Sequence, residues 1–125
     1  MKTAIVAPDA PSAVGPYSQG IAVGDLVFCA GQIPLDPVSG ALVEGDAAVQ
    51  TRRVLENVKA VLAGNRMTTA NVVKATVFLT DLGDFAAMNG VYAEYFTEPF
   101  PARSTIQVAG LPKGANVEIE VIAAR

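Results

Sequence analysis

Val72-Val73-Lys74-Ala75-Thr76-Val77-Phe78-Leu79-Thr80 is the stretch on which the fold turns. Its β-branched residues and two-residue period predict a strand. Val73, Ala75, Val77 and Leu79 fall on one face, Lys74, Thr76, Phe78 and Thr80 on the other. Phe78 on the mixed face implies that this side is partly covered too. Helical patterns flank the strand. Upstream, Asp46 after Gly45 is a good N-cap. Val49, Val54, Leu55, Val58, Val61 and Leu62 then recur at helical spacing until Gly64-Asn65 stops the pattern. Gln50, Arg52, Arg53, Glu56 and Lys59 read as its solvated side. Downstream, a second helix is predicted over 84–96, burying Phe85, Met88, Val91, Tyr92 and Tyr95, and Pro99 and Pro101 keep the chain extended after it.

Further out, residues 2–6 suggest a short edge strand and 10–20, rich in Pro, Ser and Gly, a loop. Residues 21–23 and 26–30 read as a hairpin about Gly24-Asp25. Pro34, Asp36-Pro37 and Gly40 force an irregular excursion. Two last strands are expected over 104–108 and 117–124. The order β-β-β-α-β-α-β-β predicts an α+β fold with helices over one sheet face. The other face is then a candidate for contacts between copies. No repeat or linker breaks the chain, so one domain over 1–125 is expected.

Composition narrows the chemistry. Of 125 residues, 51% are hydrophobic and only 17% charged, so a core is available and some apolar surface is left over. Such surface suits a second copy of the same chain. The formal charge is −3 and the basic residues are scattered, which argues against a nucleic-acid face. Cys29 is the only cysteine and histidine is absent, which removes intrachain disulfides, His-based triads and nearly every zinc site. Acid–base work must use carboxylates, tyrosines, lysines, water or backbone. The N-terminus lacks the apolar run of a secretory signal, so a cytoplasmic setting is expected.

Two segments break the local pattern. Arg103, at the mouth of a strand, offers a planar fork that matches a carboxylate; a structural ion pair or a snorkelling surface arginine is the alternative. Glu118 and Glu120 share one face of the last strand. They form either its wet side or, if one is partly buried, a general base. Tyr17, in Gly15-Pro16-Tyr17-Ser18-Gln19-Gly20, could close a pocket or cap the core. Gly31 permits close backbone approach or simply turns the chain. Asn89 reads as a packing residue or a polar site group, and Cys29 as a buried inert thiol.

Taken together, these segments resemble the RidA/YjgF family of enamine/imine deaminases. The resemblance runs from Ala10 to Gly20 through Gly31-Gln32-Ile33-Pro34, Glu56-Asn57-Val58-Lys59 and Val77-Phe78-Leu79-Thr80-Asp81-Leu82. It ends in Phe100-Pro101-Ala102-Arg103-Ser104 and Val117-Glu118-Ile119-Glu120. It implies a chorismate-mutase-like fold, a mixed sheet under two helices, and a homotrimer with a barrel core and sites in clefts between subunits. It implies hydrolysis of 2-imino and enamine acids, such as 2-aminoacrylate, to 2-keto acids and ammonia, without metal or organic cofactor. Carried over, Arg103 holds the substrate carboxylate and Glu118 orients or deprotonates water. The backbone of Gly31 and Thr105 fixes the imine end, Tyr17 closes the pocket, and Asn89 belongs to the cleft. The chain departs from the pattern at Thr105, where many members carry Cys, at Ala30 for Ser, and at Gly110 for a basic residue. A carboxylate-binding or chaperone-like trimer without catalysis is a second reading. Ribonuclease activity is a third, opposed by the acidic charge.

Overall fold

A computed structural model describes residues 1–125. Its elements are β1 (Thr3–Ile5), β2 (Gly20–Val23), β3 (Leu26–Gln32), α1 (Ala47–Ala63), β4 (Val72–Leu79), α2 (Phe85–Tyr92), β5 (Ala102–Gln107) and β6 (Val117–Ala124). The six strands form one mixed sheet in the order β1-β2-β3-β6-β4-β5. Neighbours are antiparallel except β4 and β5, which run parallel because α2 carries the chain back along the sheet.

The period of two sorts the sheet's faces. Val27 and Cys29 of β3, Ala75, Val77 and Leu79 of β4, and Val117, Ile119, Val121 and Ala123 of β6 point into the core. Against them α1 lays Val54, Leu55, Val58, Val61 and Leu62, and α2 lays Met88 and Tyr92. The other face has no helix over it. Leu26, Phe28 and Ile106 stand there exposed, Phe28 by 42% and Ile106 by 45%, an apolar surface on a chain with few charges. No helix is long and apolar enough to cross a membrane.

Helix α1 starts where its cap predicts: Asp46 Oδ1 accepts from the Val49 N–H at 3.0 Å. Its faces differ from expectation. Val49 is exposed, whereas Gln50 is buried because its Oε1 accepts from the Asn116 N–H at 2.9 Å, the rung just before β6. Asn57 is fully buried for a similar reason, donating to the carbonyls of Ile33 (3.2 Å) and Leu35 (2.9 Å). Polar side chains enter the interior where they tie loops to the helix.

The strand over 72–80 forms, with Val73 displaced. A register shift against β6 between Val72 and Lys74 buries Val72 and leaves Val73 exposed, after which Ala75, Val77 and Leu79 face inward. The second helix is shorter than the predicted 84–96. A 3₁₀ turn at Leu82–Asp84, capped by Asp81, precedes it, and it ends at Tyr92. Phe85 at its start is exposed. Phe96 fills the core beyond its end, with Tyr95 partly buried beside it, donating to Glu56 at 2.7 Å. Strand β5 begins at Ala102 rather than 104, because parallel pairing with β4 starts at Lys74↔Ala102.

Candidate active site

The loop before β2 is fastened by one buried side chain. Gln19 Oε1 accepts from the Ala7 N–H at 2.7 Å, and its Nε2 donates to the carbonyls of Ala7 (3.0 Å) and Pro11 (2.8 Å). These bonds hold the Pro- and Gly-rich segment in place, so that Tyr17 stands exposed at the mouth of a cavity of about 500 Å³. The Tyr17 hydroxyl accepts from the Val14 N–H at 3.2 Å. Ala30, Gly31, Ile33, Lys113 and Glu118 also line that space. The sequence reading placed Tyr17, Gly31 and Glu118 in the site, and here they meet. It took Gln19 and Asn57 only as pieces of longer motifs. Their signal was a long amide side chain within a loop or an apolar helix stripe, each needing a buried partner.

Glu118 is half-buried on the open face of β6, and Glu120 is exposed on the same face. Burial, and then the charge of Glu120, push the Glu118 carboxyl above the ordinary glutamate range, and no hydrogen bond offsets them. A carboxylate so placed is a competent proton acceptor near neutral pH. Cys29, one residue before the Ala30–Gly31 step, faces the core instead. Burial, and then Glu120, push its thiol up to about 12, so it is un-ionised at neutral pH.

Arg103 lies elsewhere. Its register partner is Ala75, whose side chain faces the core, so the guanidinium leans toward α2. There Nη1 donates to Asn89 Oδ1 at 2.7 Å. The guanidinium carbon lies 4.6 Å from the Tyr92 ring centroid and 5.5 Å from that of Phe85. The protein's two ion pairs, Arg52–Glu94 and Lys59–Glu56, leave Arg103 without a carboxylate partner. The structural ion pair weighed for it is therefore absent. Asn89 joins Arg103 as expected, whereas Tyr92 and Phe85 were read only as core. Two buried hydroxyls, Tyr92 OH and Thr105 Oγ1, have no hydrogen-bond partner. Thr105 pairs with Val77 and so faces the same side as Arg103. Burial raises the Tyr92 phenol above its usual range, against the opposing charge of Arg103.

Arg103 and Glu118 therefore do not meet within one chain. Glu118 pairs with Phe78 on the open face, while Arg103 pairs with Ala75 on the helix face, with β4 between their strands. Arg103 does not line the Glu118 cavity. At the three departures from the family pattern, Ala30 lines the cavity and Thr105 brings its unpartnered hydroxyl. Gly110 is exposed, and a side chain there would meet nothing.

The architecture is that of solved Rid-family structures. The protein YyfA from Yersinia pestis, described as of the conserved Rid protein family, superposes with a TM-score of 0.97 at 48% identity, covering 100% of both chains. The family model described as Endoribonuclease L-PSP matches residues 7–125. The chain belongs to this family, the Rid/YjgF proteins. A 2-iminobutanoate/2-iminopropanoate deaminase from Salmonella typhimurium is 48% identical over 100% of this chain and 99% of its own. Protein DfrA of Myxococcus xanthus is 52% identical over 98% of this chain and 95% of its own.

Proposed function

We propose that the protein is a hydrolytic deaminase of 2-imino acids and their enamine tautomers. We further propose that it works as a homotrimer in which Arg103 of one copy faces the Glu118 cavity of the next. The observation that carries the reading is the split site. A guanidinium oriented by Asn89 and Tyr92 has no anion of its own, and a half-buried carboxylate with raised pKa sits in a small cavity on the opposite face. Seating the edge strand β5 of one copy beside the Glu118 cavity of the next would bring the halves together, and the same assembly would cover the exposed Phe28 and Ile106. The deaminase names of full-length relatives support the substrate class.

The chemistry needs little more. A 2-imino acid presents a planar carboxylate to the Arg103 fork, a contact contributing roughly 1.5–3 kcal/mol. Glu118 takes a proton from water as its oxygen bonds to C2 and the C=N π pair moves to nitrogen. The proton then passes to nitrogen, giving a carbinolamine; Glu118 next carries the hydroxyl proton to the same nitrogen as the C–N bond breaks, so ammonia leaves with both water protons and the C2–O bond becomes the ketone. One water is consumed, and one 2-keto acid and one ammonia are released. The Tyr17 ring covers the cavity mouth. Backbone groups of Gly31 and Thr105 flank the reacting end.

The test is release of keto acid and ammonia from 2-aminoacrylate generated in situ. Arg103→Ala is expected to abolish the acceleration with the fold retained; undiminished activity would overturn the assignment. Tight binding of 2-keto acids without turnover would instead favour a binding module. RNA cleavage, which the family description names, is disfavoured by the net charge of −3.

A further inference from the structure

Strand β3 carries an irregularity beside the cavity. Its pairing with β6 runs Leu26↔Ala124 to Cys29↔Val121, then resumes at Gln32↔Ile119. Between those rungs β3 supplies two residues, Ala30 and Gly31, and β6 only Glu120, the count of a β-bulge. Cys29 and Gln32 on either side are both buried on the inner face. Strict alternation from Cys29, with no bulge, would turn Gly31 inward. With the bulge, Gly31 turns toward the open face.

What Gly31 meets there is a single residue. A Cβ built on it would fall on Glu118 Oε2, 2.9 Å from Cδ and 3.2 Å from Cγ, and its three nearest atoms all belong to Glu118. Five glycines of this chain sit at positive φ, and Gly31 is not among them. Its backbone would accept alanine, so glycine here is required by space and not by conformation.

We propose that Gly31 is a positioning residue: the bulge presents a residue without a side chain, and the Glu118 carboxylate lies in the space thus left. The slot fixes the base against the strand and inside the cavity. Any larger residue at 31 expels it toward solvent. This inference rests on the reading of Glu118 as the base. The charged and titratable groups facing Glu118 are Glu120 on its own strand, Lys74 four rungs away on β4, and Tyr17 and Lys113 across the cavity. Lys74 is engaged with Ser104 Oγ at 3.3 Å, and β3 contributes no charge.

The experiment compares the parent, Gly31→Ala, Glu118→Gln and the double variant. Gly31→Ala is expected to fold and melt close to the parent, since only the movable end of one side chain must yield. Its kcat for imine hydrolysis is expected to fall about 10- to 100-fold, within the range a general base supplies, with a smaller change in KM. Titration of the Glu118 carboxyl by carbon-13 NMR should move down toward the ordinary glutamate value. In the Glu118→Gln background, Gly31→Ala should cost nothing more. An unmoved Glu118 titration in Gly31→Ala overturns the proposal. So does a further loss in the double variant, because the added methyl would then act otherwise than through the Glu118 carboxylate. If Glu118→Gln keeps full activity, the reading of the base fails instead, and the NMR titration still judges the slot.

Discussion

Glu118 holds its proton more firmly in the folded chain than in the unfolded one, because burial and the charge of Glu120 both oppose ionisation. Between the ordinary glutamate pKa and the raised one, the folded state binds more protons. Stability is therefore lost as pH rises through that window and the full penalty stands above it. Glu118→Gln removes that titration. The variant is expected to melt a few degrees higher than the parent at neutral pH and no higher below the ordinary glutamate range, as thermal scans at the two pH values would show. The same substitution should lower kcat about 10²–10⁴-fold. In the parent, the acid limb of kcat/KM should lie above the ordinary glutamate pKa. At this scale the sequence was informative. An arginine at a strand mouth and a glutamate in an alternating strand stood out as breaks in pattern, and both occupy sites the structure sets apart. Gln19 was harder to see, because a glutamine in a loop looks solvated until the loop folds back over it.

Helix α2 serves Arg103 from one face over two turns: Phe85, Asn89 and Tyr92 lie at spacings of four and three, so all reach the same guanidinium. Tyr92→Leu removes one stacking partner and should cost about 0.5–2 kcal/mol of transition-state binding, read as a drop in kcat/KM carried mainly by KM. Tyr92→Phe keeps the ring and deletes a buried hydroxyl that has no protein partner, so its melting temperature should match or exceed that of the parent. On α1, Asn57→Ala strands the carbonyls of Ile33 and Leu35 and should destabilise by about 1–3 kcal/mol in urea unfolding. Element types and most boundaries were legible because periodicity and capping are local. Gln50 and Val49 were inverted and Val73 misplaced for a common reason: each depends on a partner distant in sequence. Gln50 answers the N–H of Asn116, and the bulge at Val73 is set by pairing with β6.

Across the whole molecule, what no local pattern could reveal is strand order. Because β4 lies between β5 and β6, Arg103 and Glu118 face opposite sides and share no cleft within one chain. The proposed trimer makes this testable by mixing. Arg103→Ala and Glu118→Gln chains, each inactive alone, should regain about a quarter of the sites after unfolding and joint refolding, since each mixed seam can pair one intact half from either chain. Separate refolding should restore none. Phe28→Glu places a charge on the exposed apolar face and should shift sedimentation toward the monomer, with activity lost in step. Cys29 offers a different use of the same architecture. With its thiol in the core and pushed up to about 12, it is closed to alkylating reagents while β3 stays in register. The chain thus contains a clock, since the rate at which iodoacetamide consumes its single thiol counts how often the centre of the sheet comes apart.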